Sequence, residues 1–379
     1  MMTQKEPVVR LLADLVAIPS MNPMGQNVPP DRYSESGVAS YLREYLKRRG
    51  IDAESYEVSP GRPNVVAFID VKASETLLLE AHMDTVHAEG MAIDPFDPVV
   101  KDGRLYGRGS CDTKGSIAAF IGSVTELLRR GSKFKYNVLL LFVADEEYRF
   151  MGAQAAVRGG LRADFGIVGE PTSLAIVRAH KGVTRWRIRT EGVAAHSAFP
   201  ERGRNAVYIM GEVIRRLETY AEELARSKSD PDLGQPTISI GVIQGGSAVN
   251  VVPDSCWIEI DRRTLPGEQI EEILGAAAAK LGDLPHVRMD PPYLSVQGMS
   301  VAEDDAVVRM LSNALARGGT NAVNTVAPYA TDAGIYNAEG IKTVVFGPGD
   351  IAQAHTAAEF IELDQVKKAV DVLKCLMAA

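Results

Sequence analysis

Thr76-Leu77-Leu78-Leu79-Glu80-Ala81-His82-Met83-Asp84-Thr85-Val86 is the stretch on which the reading of this chain turns. Thr76–Ala81 is a short apolar run of the length of a buried strand. A histidine and an aspartate follow at its carboxyl end. The same layout recurs. Tyr136–Val143 runs into Ala144-Asp145-Glu146-Glu147, and Phe165–Val168 into Gly169-Glu170-Pro171-Thr172. Thr343–Phe346 leads through Gly347-Pro348-Gly349 to Gln353-Ala354-His355. Val65–Ile69 reads as one more strand. Helical periodicity marks Val8–Ala17, Glu35–Arg49 with its stop at Gly50, and Gly115–Arg130 with its stop at Gly131. Strands alternating with helices predict an α/β layered sheet.

The character changes near His180. Thr184–Thr190 alternates Trp186 and Ile188 with Arg185, Arg187 and Arg189, the pattern of a strand with one wet face. A long helix from Arg204 to about Lys228, strands at Thr237–Val242 and Ser255–Arg262, and a helix over Gly267–Leu281 follow. That order fits a small α+β domain of ferredoxin-like kind. The α/β pattern then resumes with a helix over Ala306–Arg317, the strand Thr343–Phe346 and a helix over Leu363–Met377. The expectation is one domain built from residues 1–179 and 296–379, interrupted by a second over 180–295.

Composition narrows the function. The 379 residues carry 49 acidic against 41 basic side chains, a net charge of −8. An acidic surface argues against nucleic acid and anionic membranes as partners, because both need a basic patch. The three cysteines, Cys111, Cys256 and Cys375, are too few and too scattered for a disulfide framework or a Cys-x-x-Cys zinc site. The N-terminus lacks the apolar core of a signal peptide. Val138–Ala144, the longest strongly apolar run, is far short of a membrane span. A cytoplasmic protein is expected.

In open α/β sheets ligands bind outside the carboxyl ends of the strands. Asp112 joins that edge from a glycine-rich loop, Gly107-Arg108-Gly109-Ser110-Cys111-Asp112-Thr113-Lys114-Gly115, which opens a helix. The fold thus gathers His82, Asp112, Glu146, Glu147, Glu170 and His355 at one rim. Crowded carboxylates repel one another, and burial penalises each charge further. Two divalent ions would offset the charges of Asp112, Glu147 and Glu170. Imidazole with carboxylate suits zinc, cobalt or manganese better than calcium or copper. Taken singly, each of these residues has an ordinary structural reading; the ordered set is what carries the metal hypothesis. The glycine-rich loop is not a phosphate loop, since it reads Lys114-Gly115 rather than Gly-Lys-Ser/Thr, and Asp112 stands where a dinucleotide fingerprint needs its third glycine. No Gly-x-Ser-x-Gly elbow occurs. Cys111 reads as a packed neighbour of Asp112, and His87 and His286 as structural.

These motifs resemble the M20 metallopeptidase family, the group of acetylornithine deacetylase, succinyl-diaminopimelate desuccinylase, aminoacylase and glutamate carboxypeptidase. The resemblance runs over nearly the whole chain. It implies a mixed-sheet α/β zinc-hydrolase catalytic domain with an inserted lid and dimerisation domain. It implies that His82 and Glu170 bind one metal ion, that Glu147 and His355 bind another, and that Asp112 bridges both. Asp84 would hold the His82 imidazole. Glu146 would be the general base for a metal-bridging water. In the inserted domain, His196 of Val193-Ala194-Ala195-His196-Ser197 resembles a residue that stabilises the oxyanion, in its own site or a partner subunit's. Asn250 and Thr331 resemble substrate contacts. Arg263 resembles the arginine that grips a substrate α-carboxylate, a planar fork that lysine cannot copy. The implied partners are a small N-acyl amino acid or short peptide and a second copy of the chain. The run Gly347–His355 looks most like acetylornithine deacetylase. A desuccinylase and a carboxypeptidase or dipeptidase are the alternatives. Ala358 departs from the acidic residue the family often has there. Asp332 or Asp350 would meet a basic substrate side chain.

Overall fold

A computed structural model describes residues 6–227 and 229–379. The chain separates into two compact units. The first comprises Met1–Arg178, Val301–Val326 and Thr331–Ala379, and the second Ala179–Ser300 with Ala327–Ala330. The sequence pattern predicts the insertion over 180–295. The segment to Ser300 goes with it because Leu294–Val296 pairs with the long strand Gly182–Glu191. The return of Ala327–Ala330 had no signal in the sequence.

The first unit is a layered α/β structure around a mixed sheet. Its strands lie in the order Ala53–Ser59, Arg62–Ile69, Asn137–Val143, Thr76–His82, Phe165–Val168, Lys342–Val345 and Ile176–His180. From Asn137–Val143 to Lys342–Val345 the neighbours are parallel. Four carboxyl ends therefore open on one edge, which is what brings distant parts of the chain together. These strands are apolar because they are covered on both faces. All of Asn137–Val143 is buried, and Leu77, Leu79 and Leu140 are fully so. Each such leucine contributes about 1.5–3 kcal/mol over an exposed one, and cutting one to alanine would cost ~2–5 kcal/mol. The helix Gly115–Arg129 packs on Pro7–Val16 and on Leu363–Met377.

Several elements escaped the hydrophobic pattern. Ala53–Ser59 is a largely exposed edge strand with no apolar periodicity. Val99–Lys101, Arg104–Tyr106 and Phe360–Glu362 form a small separate sheet of three-residue strands. The helix expected over Glu35–Arg49 is Ser36–Lys47.

The second unit is an antiparallel sheet in the order Thr237–Gly245, Ser255–Thr264, Gly182–Glu191 and Val287–Met289. Trp186, Ile188, Ile258 and Ile260 point inward and pack with Met210, Val213 and Leu217 of the helix Ala206–Ala225 and with Ile273 and Ala277 of the helix Ile270–Leu281. The opposite face is charged. Arg185 donates to Asp261 at 2.8 Å, Arg187 to Glu259 at 2.5 Å and Arg189 to Asp290 at 2.6 Å. The helix expected from Arg204 begins at Ala206, where the Asn205 side chain caps Val207 and Tyr208. Its expected end at Lys228 lies outside the described residues. Among the described residues no helix is long and apolar enough to cross a membrane.

Candidate metal centre

Two groups of ligand-type atoms converge at the carboxyl edge of the first unit. In one, His82, Asp112 and Glu170 bring one atom each within 4.8 Å of one another. In the other, Asp112, Glu147 and His355 do the same. Asp112 is shared and splits its oxygens between them. Its Oδ1 lies 3.0 Å from His82 Nε2, and its Oδ2 lies 3.3 Å from His355 Nε2. Glu170 Oε1 is 3.7 Å from His82 Nε2, and Glu147 Oε2 is 3.2 Å from His355 Nε2.

The strand ends explain the convergence. His82 is the last residue of its strand, and Glu170 stands two residues beyond Val168. Glu146 and Glu147 lie on the turn that leaves Val143. Asp112 sits in a tight turn over Ser110–Lys114 before the helix Gly115–Arg129, tied to the next loop by the Thr113 hydroxyl, which donates to the Gly169 carbonyl at 2.6 Å. His355 follows the short turn Ile351–Gln353. That segment lies against the Asp112 turn at Gly349, where φ is +96° and a Cβ would come within 2.6 Å of Cys111 Sγ. Only glycine fits there.

The donor set fits a cation. His82 Nδ1 lies 3.0 Å from the Asp84 carbonyl, which can only accept, so that nitrogen carries the proton. The Nε2 lone pair then faces the carboxylates of Asp112 and Glu170, an arrangement that a proton or a metal ion must relieve. Burial lowers the proton affinity of His82, but Glu170 and Asp112 outweigh it and hold the imidazole well above its usual range. Hydrogen bonds to Asp112 and Glu147 raise His355 to about 10. Burial raises Glu170 well above the ordinary carboxylate range, with Asp112 and Glu147 adding repulsion. Burial opposes the ionisation of Asp112, yet its hydrogen bonds to His355 and His82 keep it below the usual range. A divalent ion bound there would offset the same crowded carboxylate charge. Nitrogen with carboxylate oxygen is the chemistry of zinc, cobalt or manganese.

Glu146 belongs to neither group. Burial raises its carboxyl well above the ordinary value, and Glu170 and Glu147 raise it further against the opposing pull of His82. Asp84 differs from its expected part. Its carboxylate stays 3.7 Å from His82 Nδ1, and its main-chain carbonyl accepts the hydrogen bond from that nitrogen instead. The carboxylate accepts from the main-chain nitrogens of Glu146 and Glu147, each at 3.1 Å. It therefore clamps the turn that carries both glutamates. Asp332, expected at the substrate, is 1% exposed and faces Glu80 inside the unit, where burial lifts its carboxyl to about 7. It has no surface to offer a basic side chain. Asp350 is exposed and caps the turn Ile351–Gln353. Thr331 is buried, and its hydroxyl accepts from the main chain of Ala333 at 3.2 Å.

A family model, described as peptidase family M20/M25/M40, matches residues 78–379. The chain belongs to that family. It is accordingly a metal-dependent hydrolase. Acetylornithine deacetylase of Myxococcus xanthus is 32% identical over 393 residues, spanning 98% of this chain and 97% of that protein. Acetylornithine deacetylase of Proteus mirabilis is 33% identical over 375 residues, spanning 94% and 92%. Among solved structures, an M20 family metallo-carboxypeptidase of Sulfolobus solfataricus superposes with a TM-score of 0.81 at 19% identity, covering 98% of both chains. A dinuclear metal binding M20 peptidase of Bacillus subtilis reaches 0.67 at 20% identity, covering 97% of this chain and 96% of that one. These two establish the fold.

The second unit holds His196, Asn250 and Arg263. His196 is exposed, pairs with Val251 across a two-residue ladder, and accepts from the Ala198 main chain at 3.1 Å. Asn250 is exposed, and its carbonyl accepts from Ser197. Arg263 is half-buried on its strand and donates to Asp261 at 2.7 Å.

Residues that support this M20 centre carried no role in the sequence reading. Glu359 is fully buried and accepts from Arg108 at 2.5 Å and from the main-chain nitrogens of Gly109, Cys111 and Asp112 at 3.1, 2.9 and 3.1 Å. Lys114, also buried, donates to the Ile18 carbonyl at 2.8 Å, and burial brings its amine down to about 7. The signal available for both was a charged residue beside the Asp112 or His355 motif. A spacing pattern cannot tell which of these become ligands.

Proposed function

We propose that this M20 hydrolase holds two zinc ions and removes the acyl group from a small N-acylated amino acid, with N-acetylornithine as the leading substrate. The observation that carries the reading is Asp112, whose two oxygens each face a separate histidine and carboxylate group. His82, Asp112 and Glu170 would hold one ion and Asp112, Glu147 and His355 the other. Ions bound there supply Lewis acidity, acidifying water and polarising the amide carbonyl. The rest belongs to the chain. Glu146 takes a proton from the attacking water and delivers it to the leaving nitrogen as the carbon–nitrogen bond breaks. The products are the carboxylic acid and the free amine. Asp84 holds Glu146 in line through the main chain. Arg263 and Asn250 are assigned to the substrate's α-carboxylate and backbone, and His196 to the developing oxyanion. The acyl amino acid, rather than a peptide, is favoured by the deacetylase relatives, which match at 32–33% identity over nearly the full chain.

The test is a panel of acetyl, succinyl, formyl and peptidyl amino acids, assayed after chelation and again with zinc, cobalt or manganese restored. Acetylated substrates should lead, and activity should vanish on chelation and return with metal. Undiminished activity in metal-free protein would end the metal reading, and preference for a dipeptide would move the chain to the peptidases.

A second copy of the chain is the proposed partner, through the inserted unit. The strand Thr237–Gly245 is an edge, paired on one side with Ser255–Thr264, and it exposes Val242 and Ile243. Tyr208 on the helix Ala206–Ala225 is 79% exposed. An unprotected apolar edge invites a partner strand. Ile243→Lys should turn a dimer into a monomer in light scattering, and a monomeric parent protein would dismiss the idea. The three cysteines are free, which suits a reducing cytoplasm.

A further inference from the structure

Arg62 opens the strand Arg62–Ile69 and is 7% exposed, far from any motif in the sequence. Its guanidinium is surrounded by acids. Nε donates to Glu35 Oε2 at 2.8 Å, and Nη2 meets the other Glu35 oxygen. Nη1 donates to Asp145 Oδ1 at 2.5 Å. Asp84 Oδ2 lies 3.9 Å from Nη2. Glu35, Asp84 and Asp145 are all fully buried. Asn22 closes the set: its side-chain nitrogen donates to Asp84 Oδ2 at 2.7 Å and to Asp145 Oδ1 at 2.9 Å.

This network ends on the turn that carries the two glutamates. Asp145 has φ +68°, a left-handed conformation that a non-glycine residue keeps only when its surroundings hold it. Its side chain is held by Arg62 and Asn22, and its main-chain nitrogen donates to Glu35 Oε1 at 3.2 Å. The next two main-chain nitrogens, of Glu146 and Glu147, rest on Asp84. The first ligand group touches the network only at the Asp84 main-chain carbonyl, which accepts from His82 Nδ1; His82 itself is fixed as a strand residue and Glu170 follows a different strand. A buried ion cluster is weak evidence for stability by itself. What distinguishes this one is where it leads.

We infer that Arg62 is a positioning residue which, through Asp145 and the Glu35 pair, fixes the left-handed turn that presents Glu146 and Glu147. It thereby serves one of the two metal ions and the base together, while the other ion rests on His82 and Glu170, which the strands hold in place. The inference rests on the two-metal reading above. Lysine keeps the charge and loses the fork, so it cannot reach Glu35 and Asp145 at once. Asp145→Asn is nearly isosteric and weakens the link from the turn to Arg62.

The experiment titrates cobalt(II) into metal-free wild type, Arg62→Lys and Asp145→Asn, following the visible absorption of each equivalent, with thermal unfolding to check folding and steady-state kinetics at saturating metal. In both variants one equivalent should bind ~10–100-fold more weakly and the other within about 3-fold of wild type. The kcat should fall ~100-fold or more with KM changed by less than about 3-fold, because the base is misplaced while substrate binding is untouched. If Arg62→Lys does not fold, Asp145→Asn decides. Wild-type binding of both equivalents with unchanged kcat in the folded variant overturns the inference, as does equal weakening of both equivalents. A wild-type protein that takes up no cobalt would instead refute the metal-centre reading itself.

Discussion

Replacing Glu359 by glutamine tests how the shared ligand is held. The Glu359 carboxylate has no solvent exposure and receives four donors, two at each oxygen. Oε1 serves Cys111 and Asp112, and Oε2 serves Arg108 and Gly109. Glutamine keeps one acceptor oxygen and turns the other position into a donor. Whichever way the amide points, two N–H groups then face an N–H₂. A hydrogen bond to a charged acceptor is worth about 1.5–3 kcal/mol net, so two lost bonds cost ~3–6 kcal/mol. Arg108 is 3% exposed, so any loss of its partner falls at the upper end. In a unit of about 250 residues that loss lowers Tm by on the order of 10 °C, to be read by calorimetry on metal-free protein. The consequence for function follows from Asp112, whose own main-chain nitrogen is one of the four donors. Because Asp112 belongs to both ligand groups, both metal equivalents should weaken together, by ~10-fold or more. Arg62→Lys should weaken only one, so the two variants give opposite patterns in one assay. A Glu359→Gln protein with Tm within about 2 °C of wild type and both affinities intact would refute the reasoning.

Other expectations follow from the same geometry. Glu146→Gln should retain both metals and lose turnover by ~100-fold or more, because water is no longer deprotonated; near-normal kcat would move the base elsewhere. Arg263→Ala should raise KM for substrates with a free α-carboxylate and spare amidated analogues, and equal loss on both would deny it the carboxylate. His180 is fully buried, and burial lowers its imidazole from 6.5 to about 4. The unfolded chain therefore binds this proton first as pH falls, so stability is complete above 6.5 and declines toward 4, by about 3 kcal/mol. His180→Gln should flatten the fall in Tm between pH 7 and 4.5, and an unaltered slope would locate the acid sensitivity elsewhere.

Much of this was legible from spacing because parallel strands leave a signature. Each buried strand is a continuous apolar run, and the first polar residues after it must lie at the carboxyl edge, so His82, Glu147 and Glu170 could be gathered without coordinates. Asp112 and His355 were harder, since they sit in turns, yet glycines flank Asp112 on both sides and precede His355 at Gly347 and Gly349. What spacing could not reveal is direction. The resemblance implies that Asp84 holds His82; the main chain turns so that the Asp84 carbonyl reaches the imidazole and its carboxylate reaches the turn after the neighbouring strand. Asp332 is expected, with Asp350 as the alternative, to meet a basic substrate side chain, while it is folded inward against Glu80. Arg62, Glu35 and Glu359 had no signal of their own, because a buried ion pair joins residues 27 or 251 positions apart and leaves no local period.

The two ligand groups differ in how much of the protein they need. His82 and Glu170 stand at or just past the ends of hydrogen-bonded strands, and both are nearly inaccessible. Their positions follow from sheet register, which the whole core enforces. Glu147 and His355 depend on turns instead. The first follows a left-handed Asp145, and the second is itself left-handed at φ +61° with its side chain 53% exposed. Neither conformation is one the backbone chooses alone. They persist because the Arg62 cluster grips one turn, while Glu359 and Arg108 grip the loop against which the other lies. A turn held by side chains can relax when those contacts loosen, whereas a strand end cannot without unzipping its ladder. The group nearest solvent is thus the one whose geometry is set by charge pairs rather than by the core. The same asymmetry gives particular buried acids their place: Glu35, Asp84 and Asp145 hold the turn of Glu146 and Glu147, and Glu359 holds the loop of the shared Asp112.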